Sequence, residues 1–434
     1  MGLLLMLMAM PLFAACVDGA SSAPHKVADE ATGRGLMQRL VGDALARSQA
    51  VGAARLSADA ALRDSDEARA AKLLQVSATA GLGPALVQAD GSTSSTLVQA
   101  RAGLNVGQLL SDGGRSDRVI DWRERLAEAA RLGWINSQEQ VALNTVSLAL
   151  DRSRYLQQAE VYAQYVRQVG CLVGSLEQIV AADRGRLSEL VQARKSMQQA
   201  ELSQVQAKSQ SMQAEVKLRR LASDALPQAA ALGGLLNSVP ELMHLQAQVL
   251  QSTEIAQLDA QAGAARELAR SIEAALKPQL SWSLSANNTA AAGGSGGATR
   301  GGSVSAGLSL SIPLLSPGVD AAAGAARKRA EAMSLTRDDA VEQRQSRLAD
   351  LHEQAVSAFD RSRRIAALLV ESDRVRDFTL QQWQQLGRRS LFDVMGAEGE
   401  HYGLRIAEVN ALHDGQQLNA VLRSLGRGLR DWLQ

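Results

Sequence analysis

The sequence predicts a mainly α-helical protein with a β-barrel portion, built from two copies of one unit: a strand pair set into a long helical hairpin. The first observation is an internal repeat, the signature of a duplicated architecture. LLQVSATAGLG at Leu73–Gly83, then VQARAGLNVGQLLSDGG at Val98–Gly114, share their plan with PQLSWSLSAN at Pro278–Asn287, then VSAGLSLSIPLLSPG at Val304–Gly318. Gly103-Leu104 answers Gly307-Leu308, and Gly114 answers Gly318. The second observation is period-2 alternation in these four stretches, within sequence that is otherwise helical in pattern. The third is composition: aromatics are 3% of the chain and prolines number 8, too few for an ordinary thick core. The abundant Ala, Leu, Gln, Arg, Glu and Ser suit long helices packed through narrow seams. Four strands cannot close a barrel, but three chains supply twelve and leave no exposed edge. The expected assembly is therefore a trimeric 12-strand barrel standing on an α-helical tunnel.

From the N-terminus, residues 1–16 read as an export signal, with an apolar run Leu3–Leu12 followed by Phe13-Ala14-Ala15-Cys16. The run is too short to span a bilayer as a mature helix. No Lys or Arg precedes it, which leaves open a start upstream of Met1. Cys16 is a candidate lipidation site, with an ordinary cleaved signal as the alternative. The other cysteine, Cys171, lies in a helical pattern and reads as a small apolar packing residue without a disulfide framework.

The first repeat is expected over residues 36–222, with a helix near Ala50–Lys72, strands at 73–83 and 97–107, and a long helical hairpin. Residues 223–240, rich in Pro and Gly, read as a linker forming part of a mid-height belt. The second repeat is expected over residues 241–434, with a helix at Glu241–Leu276, strands at 278–287 and 303–313, and a second hairpin. In each strand Val, Leu, Ile, Ala or Trp alternates with Ser, Gln, Asn, Thr or Gly, with Arg101 among the polar positions of the second. That pattern fits a membrane-barrel strand, apolar toward lipid and small-polar toward a wet lumen, although a half-buried soluble sheet alternates too. The Gly-, Ser- and Thr-rich loops at 83–96 and 287–302 read as flexible and external. The second lacks the Gly-Lys-Ser/Thr ending of a phosphate loop. From strand to hairpin interruption runs roughly 75–80 residues in both copies, about 110 Å of helix at 1.5 Å per residue. Such a length suits a conduit crossing a periplasm.

The hairpin tips agree with one another: Gly185-Arg186-Leu187-Ser188 and Gly387-Arg388-Arg389-Ser390. A glycine that ends one helix and a serine that caps the next would make a turn. A docking surface for another protein would need the same residues. Nothing supports catalysis. The five histidines, His25, His244, His352, His401 and His413, are scattered, without metal-ligand spacing. No nucleophile elbow, phosphate loop or dinucleotide fingerprint occurs, so neither cofactor nor metal is expected. A net charge of +1 gives no basic field for nucleic acid.

With these residues in hand, the chain resembles the TolC-type outer-membrane factor family, trimeric exit ducts of Gram-negative bacteria. The most specific segment, Leu386–Glu398, is similar to the family's second-repeat tip, Gly-x-Arg-Ser/Thr-x-x-Asp-Val-Leu. SIPLLSPG and VGQLLSDGG are similar to its strand-to-helix junctions. The resemblance implies an adaptor-binding arginine at Arg389 and a gating aspartate at Asp393. Where the family has a further aspartate three positions on, this chain has Gly396; where it commonly has one in the first tip, this chain has Val191. Docking positions carried over are Gly185, Ser188, Gly387, Arg389 and Ser390. A ring of three Asp393 carboxylates would select cations. The plainer role for Asp393 is a solvated acid in the first turn of a helix. The resemblance also implies a homotrimer in the outer membrane, in contact with its lipid, working with a periplasmic adaptor protein and an inner-membrane transporter (ABC or proton-driven) that supplies the energy. The expected function is a passive exit duct, most of all for type I protein secretion. A drug or metal efflux pump is the alternative within that class. An envelope scaffold or adhesin stalk made of coiled coil is the alternative outside it, and such a scaffold has no need for two strand pairs repeated in register.

Overall fold

The computed structural model describes residues 30–87, 95–222, 226, 232–292, 299–386 and 389–434. The expected export signal with Cys16, much of the linker and the middle of both inter-strand loops lie outside these residues. The chain divides into two units, one of residues up to Val51 with Gln138–Ser252 and Gln343–Gln434, the other of Gly52–Ser137 and Thr253–Glu342.

The second unit holds the strands, and α2 (Gln49–Ala70) leads into the first of them. β1 (Gln75–Val87), β2 (Ser95–Ser111), β3 (Gln279–Ala292) and β4 (Thr299–Ser311) form one antiparallel sheet in the order β1-β2-β3-β4. The two repeats meet edge to edge through the β2–β3 ladder, and β1 and β4 are the outer strands. β1, β3 and β4 run four or five residues further toward the loops than alternation alone suggested and β2 runs two, while at its other end β2 continues to Ser111 and β4 stops at Ser311. Backbone pairing is indifferent to side-chain pattern, so the ladder continues through Leu97, Thr96 and Ser95 opposite Ala85, Leu86 and Val87. A bulge between Leu109 and Ser111 sets Leu110 outside the pairing and ends the regular alternation of β2.

The turn from β2 into α3 (Arg115–Ala182) follows from Ser-Asp-Gly-Gly. Asp112 accepts from Gly114 N at 3.1 Å, Ser116 N at 2.7 Å and Ser116 Oγ at 2.5 Å, capping the helix. Burial pushes its carboxyl up, but these hydrogen bonds, led by Ser116's, outweigh that and hold it below the usual range. Gly113 and Gly114 have φ of 67° and 88°, and a Cβ on Gly113 would lie 2.4 Å from that of Lys277, whose ammonium donates to Gly113 O at 3.0 Å. The second repeat solves the same problem differently. α7 (Pro317–Leu386) starts on a proline, whose missing N–H costs nothing in a first turn. Gly114 and Gly318, matched in sequence, therefore do different jobs.

The other unit packs α1 (Glu30–Arg47) on α3, α4 (Leu187–Leu221), α8 (Leu391–Leu425) and the short α9 (Leu429–Leu433), through a core that includes Met37, Leu40, Val146, Leu150, Leu218, Leu236 and Leu429. Two helices expected to be continuous are broken. The stretch 241–276 is α5 (Leu242–Val249) and α6 (Thr253–Ala274). The last helix stops at Gly426, and α9 restarts after Gly428, whose φ is 120°. Glu139 on α3 causes the restart, since its carboxylate accepts from Leu429 N and Arg430 N and so caps α9. Cys171 lies within α3, and the other cysteine of the chain, Cys16, lies outside the described residues.

Candidate functional site

The sheet has two chemically distinct faces, because residues paired across an antiparallel ladder share a side. One face carries the rows Val76–Val106–Leu284–Ala306 and Ala78–Leu104–Ala286–Val304, with Trp282 beside Leu308. These apolar side chains are uncovered in the chain: Leu82, Val304 and Leu308 are 77%, 75% and 73% exposed. The other face carries Ser77–Asn105–Ser285–Ser305 and Thr79–Gly103–Asn287–Ser303. Ser285 and Ser305 hydroxyls lie 2.8 Å apart. A Cβ at Gly103 would come within 2.5 Å of Asn287 Oδ1 and 2.9 Å of Thr79 Oγ1, so both side chains would have to swing aside for any larger residue. Large exposed apolar patches on soluble proteins mark partner or membrane surfaces.

The hairpin tips differ in how they are capped. At the first, a 3₁₀ turn (Arg184–Arg186) separates α3 from α4, and Asp183 caps it by accepting from Gly185 N at 2.9 Å. Ser188 sits inside the first turn of α4 and makes no cap, which corrects the expected Gly185/Ser188 arrangement. The acid wins because its position just before the turn lets the carboxylate reach the N–H two residues on. At the second tip Ser390 does cap α8. Asp393 N donates to Ser390 Oγ at 3.3 Å while Ser390 N donates to Asp393 Oδ2 at 3.1 Å, a reciprocal capping box. Asp393 and Arg389 are both exposed, and Arg389 Nε donates to Gln382 Oε1 at 3.2 Å. A Cβ at Gly396 would meet nothing within 4 Å. Gly387 and Arg388 lie outside the described residues. Behind the tip, Leu391, Val394 and Met395 of α8 pack with Val169, Leu172 and Leu176 of α3, Leu190 of α4 and Trp383 of α7.

Along α8 the packing turns polar, which sequence patterning did not reveal. Gln168 donates to the fully buried Glu398 at 3.1 Å, Tyr165 stacks on Tyr402, and Arg154 bonds Asn410 and Asp414 at 2.8 and 3.0 Å. His401 and His413 are each pushed down to about 4, chiefly by burial; Arg376 adds to this for His401, and the Val409 carbonyl opposes it for His413. Both are neutral at neutral pH. Gln416 donates to the carbonyls of Gly233 (3.1 Å) and Leu235 (2.9 Å), and Asn419 to those of Leu236 (2.7 Å) and Ser238 (2.8 Å). These two amides hold the linker's end, where Leu236 has φ of 60°. Their only sequence signal is two amides four residues before and one residue before buried apolar positions of a helix.

Among the described residues no helix is long and apolar enough to cross a membrane, and no group of three acids, histidines or cysteines could hold a metal ion. Residues 40–223 match the sequence model of the family described as outer membrane efflux protein. Comparison with curated proteins finds no match. Among solved structures, a membrane protein from Pseudomonas aeruginosa superposes with a TM-score of 0.80 at 18% identity, covering 90% of this chain and 92% of that one. CusC, described in terms of folding and transmembrane channel formation, gives 0.78 at 16% identity over 91% and 92%. The outer membrane protein VceC from Vibrio cholerae gives 0.76 at 17% over 91% and 96%. The fold is thus that of outer-membrane channels with a helical tunnel and a barrel. Over residues 40–223 the chain thus resembles the outer membrane efflux protein family, in keeping with its likeness to the TolC-type outer-membrane factors.

Proposed function

We propose that the protein is the passive exit duct of a tripartite export system, a homotrimer whose twelve strands close in the outer membrane. The sheet carries this reading: four long strands with an exposed apolar face and two outer strands that, within one chain, have a neighbour on one side only. A second copy of the chain would supply the missing neighbour. The helices support the same arrangement. On α4, Val191, Leu202, Val205, Met212 and Val216 are 59–70% exposed and fall on one heptad seam, while Ala193, Ala200, Ala207 and Ala214 face inward. Residues 1–16 serve as the export signal, with Cys16 the lipidated residue if the signal is of lipoprotein type. The hairpin tips (Gly185, Ser188, Gly387, Arg389, Ser390) meet a periplasmic adaptor, Asp393 lines the mouth, and an inner-membrane transporter supplies energy, the duct itself having no catalytic role.

Type I protein secretion is the favoured pathway, on the Gly-Arg-Arg-Ser-Leu-Phe-Asp sequence of the second tip. Efflux of drugs or metal ions is the second reading, favoured by the family description matched at residues 40–223. In a deletion strain, the wild-type protein should restore secretion of a protein substrate, and Arg389→Glu should impair it at least tenfold, since reversing a rim charge disfavours docking. Restored resistance to dyes or metal ions without restored protein secretion would transfer the assignment to efflux. Normal export by Arg389→Glu would remove the docking role from the tip.

A further inference from the structure

We infer that Arg101 makes the barrel lumen selective for anionic solutes, an inference that rests on the exit-duct reading. Among the described residues of the four strands there are two charged side chains, Arg101 and Arg300, and no acid. The register places them side by side along the strands but on opposite faces. Arg101 stands in the row Gly81–Arg101–Thr289–Gly301, on the face of Ser77, Asn105, Ser285 and Ser305. Arg300 stands in the adjacent row Leu82–Ala100–Ala290–Arg300, on the apolar face. The lumenal arginine also has room to move. Gly81 beside it and Gly301 at the end of its row would each meet nothing within 4 Å if given a Cβ. Arg101 is exposed, and its guanidinium donates from Nε (2.9 Å) and Nη2 (2.6 Å) to Gln99 Oε1, a neutral partner two residues away on the same face. Its charge is therefore uncompensated by any carboxylate of the sheet.

In a threefold assembly Arg101 becomes a ring of three positive charges on an otherwise neutral polar wall. A closed sheet of twelve strands spaced ~4.8 Å and tilted ~40° has a backbone radius of about 12 Å. The Debye length is about 10 Å at 0.1 M salt and about 3 Å at 1 M. The ring's field thus fills the lumen at low salt and is screened to the wall at high salt. Its sign is opposite to that of an Asp393 ring, so an acidic cargo that passes the tips meets attraction in the barrel.

The test is ion selectivity of the full-length protein in planar bilayers, read as the reversal potential under a potassium chloride gradient. At about 0.1 M salt, Arg101→Gln should lower the chloride-to-potassium permeability ratio at least twofold, and Arg101→Glu should lower it further. Both shifts should shrink toward wild type at about 1 M salt. Arg300→Gln removes the same charge from the opposite face and should leave the ratio unchanged. An oligoglutamate peptide should block wild-type current more often than oligolysine, and Arg101→Glu should reverse that order. A ratio unmoved by Arg101→Gln, or moved equally by Arg300→Gln, would overturn the proposal while leaving the duct intact. Absence of channel conductance from the wild-type protein would instead overturn the duct reading, and this inference with it.

Discussion

At Asp393 one observed role and one proposed role fall on the same carboxylate. Its carboxylate completes the capping box at the start of α8, and it is also the acid that the resemblance assigns to the gate. A plain solvated acid would be replaceable at little cost, whereas loss of a capping side chain costs about 1 kcal/mol. The two roles separate by substitution. Asp393→Ala removes charge and cap together; Asp393→Gln removes the charge but keeps an oxygen able to accept from Ser390 N. Hydrogen exchange around residues 390–396 should quicken several-fold in Asp393→Ala and stay near wild type in Asp393→Gln, while cation selectivity at the tip weakens in both. Equal quickening in the two variants would mean that the ionised carboxylate, not the acceptor geometry, holds the turn.

Among the elements, α8 carries the greatest polar load. Its buried amides Gln416 and Asn419 satisfy linker carbonyls that an apolar side chain would leave unpaired. Leaving a buried carbonyl without a donor costs about 1–3 kcal/mol. Gln416→Leu and Asn419→Leu should each lower the unfolding midpoint and admit protease near residues 232–238, and the double variant should lose less than the sum, since both amides hold one segment. If the linker stays as protease-resistant as in wild type, these amides are tolerated polar residues and not the ties that hold it. The same logic explains why α8 breaks at Gly426–Gly428: Glu139 offers the cap that starts α9, and burial raises its carboxyl despite bonds from Leu429 and Arg430.

At the scale of the whole molecule, the sheet sets the requirement. β1 and β4 present 13-residue outer edges, and an open edge of that length pairs with another chain. Cross-linking in detergent should return a trimer, and Trp282, on the apolar face beside Leu308, should be quenched strongly by lipid-borne quenchers. A monomer, or quenching by aqueous iodide alone, would argue for a soluble sheet.

The repeat, the four strands and the two hairpins were legible in the sequence because each rests on a local period: two for the strands, near 3.6 for the helices, and Gly with Ser at the turns. Local period also placed Trp282 and Leu308 on one face and showed Ser390 as a cap. It could not show that Asp183 caps a 3₁₀ turn while Ser188 falls inside the first turn of α4, because either residue type can cap a helix start until the chain selects one turn. Nor could it find Glu139 capping α9, since 290 residues separate Glu139 from Leu429. The buried Glu398, His401, Gln416 and Asn419 looked like surface positions of a polar helix, and only packing against α3, α7 and the linker turned them inward. The opposite facing of Arg101 and Arg300 likewise needed the strand register, which depends on pairing between the two repeats. Periodicity is a property of neighbours in sequence, whereas caps, buried polar ties and register are set by partners that only the folded chain brings together.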